Sequence, residues 1–386
     1  MQVNAQDNRP AEAANAVTVA TITVANPIAL ARPSETVVLR REEIEKAAPG
    51  FDFKKALIAD EADKPLLSQI LDLNGDGIPD EILFQTDLAA SSKKTFKLRI
   101  GERHLAAPGD YKAYGRFVRE RHDDFAWEND LVAHRMYGPD LETTPKEPLV
   151  SSGVDTWSKR VSKLVVNEWY MTDDYHQDSG EGADFYAVGK SRGCGGLGIW
   201  SNGKLVTSKN FVTSRVLANG PIRLVFELTY APWEIAKGVR VSETKRVVLD
   251  AGSQFNHFES TLTGSAKAGL TAGIGIARHS GSTLQVDAAS ASMRVWEPLR
   301  GPKGEESGNL GCAVVLPAGS SVAEQHNDLD YLVTTPVPAS GKLSYFVGSA
   351  WDRAGRVRDA AAWTTEVQVF AARIAAPALV RLTPVK

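Results

Sequence analysis

The feature that most constrains this chain is a succession of short runs rich in Val, Ile, Thr and aromatic residues, separated by Gly, Pro, Asp and Asn. Such runs are typical of β-strands joined by turns, because β-branched and aromatic side chains fit a pleated surface and the intervening residues form tight corners. No βαβ alternation accompanies them. The sequence therefore predicts an all-β protein, and its clearest strands are Val17–Val24, Thr36–Leu39, Leu66–Leu71, Glu81–Thr86, Thr95–Ile100, Lys163–Trp169, Ile222–Tyr230, Val239–Leu249, Phe255–Thr263, Ala291–Trp296, Ala313–Leu316 and Leu343–Val347.

The strand pattern predicts two β domains. Residues 1–16 form an Ala-rich polar stretch that we expect to be a disordered tail, and residues 17–103 fit a small N-terminal β-sandwich. Residues 104–386 hold at least ten strands, which favours a large two-sheet β-sandwich. Two helices are expected, a short one at Glu42–Ala48 and a C-terminal one at Asp359–Ala375, whose apolar residues recur every three or four positions. A last strand is expected at Ala378–Leu382.

Composition excludes two classes of partner. The 386 residues carry 44 Lys+Arg against 47 Asp+Glu, a net charge of −3, and the charges are dispersed, which argues against nucleic-acid binding. No apolar run is long enough to span a membrane. Cys194 and Cys312 can form one disulfide at most. The oligomeric state is not indicated.

One segment has the spacing of a calcium-binding loop. Asp72, Asn74, Asp76 and Asp80 place oxygen ligands around a tight Gly turn, although Leu83 stands where a helix–loop–helix calcium site has Glu. A structural calcium ion and an empty Asx-rich hairpin are both open interpretations. Neither supplies chemistry, so no catalytic cofactor is expected.

A second segment, Leu131–Tyr137, predicts a strand that ends at a Gly-Pro pair. Alternation along that strand places Arg135 and Tyr137 on one face and His134 on the other. A guanidinium beside a phenol can hold a carboxylate and move a proton. The alternative is an interior Tyr next to an Arg paired with an acid.

A third segment concentrates polar chemistry in one Gly-rich loop. Eight side chains that can donate, accept or titrate fall between residues 175 and 186, and glycines let the backbone approach a ligand. The alternative is a solvated acidic loop, with or without a cation. The candidate residues of this loop are Tyr175, His176, Asp178, Glu181, Asp184 and Tyr186.

Weaker candidates lie elsewhere. Lys159 and Arg160 follow a Trp, Arg278 and His279 close an apolar run, and Trp351 ends a strand. An exposed Trp can stack on a sugar ring, whereas a Trp in a sandwich is more often a core residue. The sequence has neither a GxSxG nor an HExxH motif, so the familiar hydrolase and metalloprotease mechanisms lack support.

Several segments together resemble the DUF4861 family, a group of proteins of unknown function from polysaccharide-degrading bacteria. The resemblance spans about residues 20 to 385 and is carried by Glu128–Asp130, Arg135–Pro139, Tyr175–Asp184, Asn219–Arg223 and Leu249–Ser253. The strands around Leu249–Ser253 also resemble the β-supersandwich of galactose mutarotases and several polysaccharide lyases. These resemblances imply a carbohydrate ligand on a concave sheet face, uronic-acid-rich polysaccharide as its source, and a periplasmic or secreted protein.

The leading functional hypothesis is β-elimination at a uronic acid residue, by a lyase or a dehydratase. Arg135 would neutralise the substrate carboxylate, His176 would be the base oriented by Asp178 or Glu181, and Tyr137 or Tyr186 would protonate the leaving oxygen. Arg278 and His279 form a reserve pair. One alternative is a glycoside hydrolase or epimerase that uses paired carboxylates among Asp178, Glu181 and Asp184. Another is a non-catalytic glycan-binding protein.

Overall fold

A computed structural model describes residues 16–102, 106–145, 148–172, 175–264 and 269–385. Over these residues antiparallel strands dominate and helices are few, so the predicted all-β class is confirmed. The chain divides into two compact units, residues 1–111 with 377–386 and residues 112–376. None of the helices in the described ranges is long and apolar enough to cross a membrane.

The first unit is a small β-sandwich with a five-stranded and a three-stranded sheet. The five-stranded sheet runs in the order β26-β1-β7-β3-β4, and its strands are β1 (Val17–Ala25), β3 (Ala56–Ala59), β4 (Pro65–Leu66), β7 (Lys93–Ile100) and β26 (Leu379–Pro384). The other sheet, in the order β2-β6-β5, comprises β2 (Arg32–Arg40), β5 (Ser68–Leu71) and β6 (Glu81–Leu88). Helix α1 (Arg41–Ala47) buries Ile44 in the shared core, close to the predicted position.

The first unit differs from the sequence-based boundaries at two points. Strand β26, which the sequence placed with the large domain, pairs antiparallel with β1 from Ala20 opposite Pro384 to Ala25 opposite Leu379. Alternation identifies β26 as a strand, but it does not say which sheet edge the strand joins. The division between the units falls after Tyr111 rather than residue 103. The expected tail lies outside the described residues except for Ala16.

The second unit contains three antiparallel sheets. Sheet I, in the order β12-β11-β10-β9-β8, comprises β8 (Ala113–Val118), β9 (Asp124–Asn129), β10 (Ala133–Met136), β11 (Asp155–Lys159) and β12 (Gly182–Ala183). Sheet II, in the order β14-β13-β19-β24-β23, comprises β13 (Cys194–Ser201), β14 (Lys204–Val206), β19 (Thr271–Ala277), β23 (Ala323–His326) and β24 (Asp330–Pro336). Sheet III, in the order β15-β16-β17-β18-β25-β22-β21-β20, comprises β15 (Thr213–Ala218), β16 (Arg223–Ala236), β17 (Val239–Asp250), β18 (Phe255–Gly264), β20 (Thr283–Asp287), β21 (Ser292–Arg300), β22 (Glu306–Val315) and β25 (Lys342–Trp351).

Sheets I and II form one layer of a large sandwich, and sheet III forms the other. A bridge between Val154 and Gly193 links sheets I and II side by side. Apolar side chains of both pack on sheet III in one continuous core, where the rings of Phe125 and Phe226 stack 4.2 Å apart. Cys194 and Cys312 are buried free thiols in this core. The predicted large two-sheet sandwich is therefore confirmed.

Helix α3 (Ala360–Ala375) covers part of the opposite face of sheet III, as the apolar spacing predicts. Asp359 caps its N-terminus by accepting a 2.8 Å hydrogen bond from the Ala362 amide. Trp363 is buried against Phe255, and its indole N–H donates to the carbonyl of Cys312 at 3.3 Å.

One predicted strand is wrong. Residues 163–169 have a β-like composition, but the structure places helix α2 at Val166–Tyr170. The buried carboxylate of Glu128 accepts hydrogen bonds from the amides of Val165 and Val166 at 2.8 and 2.7 Å. This interaction satisfies the first amides of α2 from a residue distant in sequence, so local composition could not indicate the helix.

We predict that Trp363→Ala lowers the free energy of unfolding by about 3–5 kcal/mol, because a large buried ring leaves a cavity. Denaturant-induced unfolding of the full chain measures this loss. Gln368→Ala, on the exposed side of α3, is the matched control and should change stability by less than about 0.5 kcal/mol. Equal effects of the two substitutions would contradict the packing assigned to α3.

Candidate active site

The candidate site lies on the face of sheet I that points away from sheet III. Arg135 on β10 stands opposite Ala126 on β9 and Asp155 on β11, so the three residues share this face. Its neighbour His134 points the other way. The covering segment, defined here as residues 160–172 and 175–184, includes α2 and contributes Tyr175 and Asp184, which contact Arg135.

Arg135 is enclosed by carboxylates and a phenol. Its Nε and Nη2 donate to Asp155 Oδ2 at 3.1 and 2.6 Å, and Nη2 also donates to Asp184 Oδ2 at 3.2 Å. Nη1 donates to the Tyr175 hydroxyl at 2.8 Å, and the guanidinium lies 5.1 Å from the ring centre of Tyr137. Only 6% of Arg135 is exposed, so its charge is compensated within the protein.

A third carboxylate faces the same guanidinium. Asp124 Oδ2 lies 3.9 Å from Arg135 Nε, while Asp124 Oδ1 accepts the Gly138 amide at 2.8 Å. Among the described residues neither Asp124 Oδ2 nor the buried Tyr170 hydroxyl has a hydrogen-bond partner. Burial raises the pKa of Asp124 to about 7.

Asp184 and the phenols of the cluster are also biased towards their neutral forms. Burial, reinforced by Asp155, raises the pKa of Asp184 well above its usual range even though Arg135 opposes this shift. Burial likewise raises the pKa values of Tyr137 and Tyr170 well above that of a free phenol. The three buried carboxyl groups of Asp124, Asp155 and Asp184 lie near two guanidinium groups, those of Arg135 and Arg121. The carboxyl groups outnumber the cations, so the cluster favours retention of a proton.

Tyr175 and His176 form the accessible edge of the cluster. The Tyr175 hydroxyl accepts hydrogen bonds from Arg121 Nε and Arg135 Nη1, both at 2.8 Å. Its ring centre is 4.4 Å from that of His176, whose side chain is 45% exposed. His176 Nδ1 donates to the carbonyl of Asp184 at 2.9 Å and lies 3.7 Å from its carboxylate. A carbonyl can only accept, so the neutral ring carries its lone pair on Nε2.

Glu128 and Lys159 fasten the covering segment to sheet I. Lys159 Nζ donates to Glu128 Oε2 at 2.7 Å and to the Asn129 carbonyl at 2.6 Å, and the Lys and Glu side chains are fully buried. Burial lowers the pKa of Lys159, and Glu128 opposes that shift. Lys159, predicted to bind substrate, therefore lies beneath the segment rather than at its surface.

The segments that carry the family resemblance meet in space. Asn129 Nδ2 donates to the carbonyls of Asp250 and Ser253 at 2.6 and 2.8 Å, and Asp130 accepts the Gly252 amide at 2.6 Å. Arg223 forms a two-pronged ion pair with Asp250 at 2.6 and 2.8 Å. These contacts tie sheet I to sheet III behind the candidate site.

Other predicted residues lie apart from the Arg135 cluster or serve its structure. His134 is fully buried between Asp155 and Asn256, and burial lowers its pKa to about 4. Arg160 pairs with Asp178 and lies 4.6 Å above the ring of the buried Trp351.

Glu181 pairs with Lys163 at 2.7 Å and accepts the indole N–H of Trp169 at 3.4 Å. It therefore makes an ion pair at the outer side of the covering segment. The sequence interpretation expected Asp178 or Glu181 to orient the ring of His176, whereas the structure places His176 Nδ1 against the carbonyl of Asp184.

Tyr186, Arg278 and His279 form a separate group at the end of β19. His279 binds Glu297 and the carbonyl of Ala187, and its ring lies edge-on to that of Tyr186 at 5.3 Å. The Arg278 guanidinium lies 5.7 Å from the ring of Tyr331.

The predicted calcium loop uses its oxygens within the loop. Asp72 accepts the amides of Gly75 and Gly77, Asn74 accepts that of Asp76, and Asp80 accepts that of Leu73. Within the described ranges no group of three His, Cys, Asp or Glu side chains is arranged to hold a metal. Calcium binding stays a prediction, and no role in chemistry rests on it.

Sequence reasoning missed Arg121, Asp124, Asp155 and Tyr170. Asp124 and Asp155 reach the cluster through pairing in sheet I, Tyr170 through the covering segment, and Arg121 from the turn between β8 and β9. The register between strands cannot be read from any one strand. The one signal in the sequence was the period-two alternation of the strand that contains Arg135. It placed Arg135 and Tyr137 on one face, and in the structure both side chains contact each other and Asp155.

Comparisons with known proteins match nearly the whole chain. A family model described as "Domain of unknown function (DUF4861)" matches residues 24–380. The chain is 33% identical over 371 residues to "Uncharacterized protein P7" of Formosa agariphila, covering 92% of this chain and 91% of that protein.

Two solved structures show a looser likeness. An α-mannosidase from Enterococcus faecalis V583 is 11% identical with a TM-score of 0.49, covering 95% of this chain and 46% of that one. A glycosyl hydrolase family 38 protein from Enterococcus faecalis is 12% identical with a TM-score of 0.44, covering 95% and 47%. This chain thus spans about half the length of either solved chain, and TM-scores this low support no inference.

We predict that Asp124→Asn removes a pH-dependent cost to stability. The folded-state pKa of Asp124, about 7, exceeds its ordinary value of 3.8, so the folded state binds the proton more tightly and the wild type loses stability as pH rises between these values. As pH rises from about 4 to about 8, the free energy of unfolding of the variant should increase by about 2–4 kcal/mol relative to that of the wild type. Denaturant unfolding at both pH values measures the gain, and parallel pH dependences would refute it.

Proposed function

We propose that this chain, which belongs to the DUF4861 family, is a carbohydrate-active enzyme that performs β-elimination at a uronic acid residue of an oligo- or polysaccharide. The observation that carries the proposal is the adjacency of Tyr175 and His176, an exposed imidazole beside a phenol bound by two guanidinia. The uronate class and a periplasmic or secreted location come from the family resemblance.

Elimination places three demands on a site. The proton on C5 of a uronate is weakly acidic, so a base must remove it while the neighbouring carboxylate is neutralised. The oxygen that leaves C4 must receive a proton. A base, a cation and an acid must therefore lie around one sugar ring.

His176 meets the requirement for a base. Its Nδ1–H bond to the Asp184 carbonyl fixes the neutral tautomer with the lone pair on Nε2, and its side chain is 45% exposed. The carboxylate of Asp184, 3.7 Å from Nδ1, stabilises the imidazolium that forms when Nε2 accepts the C5 proton.

Tyr175 meets the requirement for an acid. Burial raises its pKa, so the phenol holds its proton at neutral pH. When that proton passes to the leaving oxygen, the phenolate is stabilised by Arg121 and Arg135, each already 2.8 Å from the hydroxyl. Tyr175 suits this role better than Tyr137, which donates to Asp155 at 3.3 Å from a fully buried position.

In our proposal the cation that neutralises the substrate carboxylate is Arg121 rather than Arg135. Arg135 is almost fully buried between Asp155 and Asp184, whereas Arg121 is partly exposed and binds the same hydroxyl. Arg135 then acts as a positioning residue that holds Tyr175 and Asp184 together.

The three carboxylates named for the hydrolase alternative are each paired with a different cation. Asp178 pairs with Arg160, Glu181 with Lys163, and Asp184 with Arg135. A glycoside hydrolase needs one protonated and one ionised carboxylate flanking the scissile bond. Asp184, the acid biased towards its protonated form, is 2% exposed and bound to Arg135, so it is poorly placed to flank a glycosidic bond together with Asp178 or Glu181.

We predict that His176→Gln and Tyr175→Phe each lower turnover by about 100-fold or more, because each removes a proton-transfer group while preserving side-chain volume. The assay incubates the protein with ulvan, pectin, alginate and glucuronan fragments and follows the ultraviolet absorbance of the unsaturated uronate.

His326→Gln, an exposed imidazole on β23, is the matched control and should retain wild-type turnover. Wild-type protein that forms no unsaturated product from any of these glycans would overturn the proposal. Release of reducing ends without absorbance would indicate the hydrolase alternative instead.

A further inference from the structure

The group around His279 has an unusual hydrogen-bonding requirement. Its Nδ1 lies 2.5 Å from Glu297 Oε2, and its Nε2 lies 2.8 Å from the carbonyl oxygen of Ala187. Ala187 belongs to the Asp184 segment, defined here as residues 184–191. His279 thus connects that segment to Glu297 on β21.

Both partners of the ring are acceptors when Glu297 is ionised. The carbonyl of Ala187 needs an N–H on Nε2, and the carboxylate of Glu297 needs another on Nδ1. A neutral imidazole carries only one N–H. The two contacts therefore coexist fully only when His279 is an imidazolium.

The surroundings favour that charge. Glu297 is 1% exposed, and within the described residues its Oε1 has no hydrogen-bond partner, while its Oε2 contacts His279. Asp330, at the start of β24, adds a second negative charge, while Tyr186 presents its ring edge-on. The hydrogen bond that His279 donates to Glu297 raises the pKa of His279 above its ordinary value, although partial burial opposes the shift.

We propose that His279, as an imidazolium held between Glu297 and the Ala187 carbonyl, is a positioning residue that fixes the Asp184 segment and makes its placement dependent on pH. Asp184 begins this segment and contacts both Arg135 and His176. When His279 loses its proton, one of its two hydrogen bonds must be given up, and the segment is released from β21.

The direction of the pH effect follows from the raised pKa. A group whose folded-state pKa is raised contributes its full stabilisation below its unfolded pKa and loses it as pH rises through the folded value. The Asp184 segment is therefore anchored while His279 is protonated and is released as pH rises through the raised pKa of His279.

The test is an NMR titration of the full-length protein labelled with ¹⁵N in its histidines. Both ring nitrogens of His279 should remain protonated above the ordinary pKa of His, about 6.5. Glu297→Gln should shift this titration downward, and His326→Gln should leave it unchanged. A His279 ring that titrates at or below the ordinary pKa of His would overturn the proposal.

Hydrogen exchange provides a readout at the segment itself. In the wild type, protection factors of residues 184–191 should fall about tenfold as His279 deprotonates, whereas His279→Gln should show the lower protection at every pH. Identical protection in the two proteins would refute the positioning role. Circular dichroism checks that His279→Gln folds, and Glu297→Gln serves as the second variant.

The kinetic form of the test depends on the proposed function. His279→Gln should lower kcat about tenfold at pH values where the wild-type His279 is protonated, and it should remove the fall in the wild-type rate that accompanies deprotonation of His279. If no glycan is turned over, the proposed function fails, but the NMR and exchange results still decide the role of His279.

Discussion

The buried charge of Arg135 is the constraint on which the candidate site depends. A guanidinium removed from water must be compensated, and here Asp155 supplies one acceptor from the neighbouring strand while Asp184 and Tyr175 supply others from the covering segment. The segment is therefore held by charge as well as by apolar packing. Its position brings His176 to the edge of the cluster without burying it.

A second buried ion pair, Lys159 with Glu128, supports the same segment a few residues earlier. Glu128 also binds the first amides of α2, and its neighbour Asn129 binds the turn after β17. Two of the segments that carry the family resemblance, Glu128–Asp130 and Leu249–Ser253, thus act mainly as scaffold. They orient sheet I against sheet III, and the accessible side chains lie on the segment that this scaffold supports.

The sequence predicted the fold better than the site. Period-two runs identify strands wherever one face is buried, so the sandwich and most strands were predictable, and apolar spacing identified α3. The helix at Val166–Tyr170 was missed because its amides are satisfied by Glu128. Asp155 and Asp124 were missed because only the register of sheet I brings them to Arg135. Alternation did place Arg135 and Tyr137 together, but it could not show that both would be buried.

The pairing of β26 with β1 has a consequence for biosynthesis. The ribosome delivers β26 only after β1 and the whole second unit have been made. Throughout that interval one edge of β1 displays unsatisfied amides and carbonyls, which invite strand addition by other nascent chains. A chaperone that shields this edge, or a refolding protocol that begins from the finished polypeptide, should therefore improve the yield of correctly folded protein.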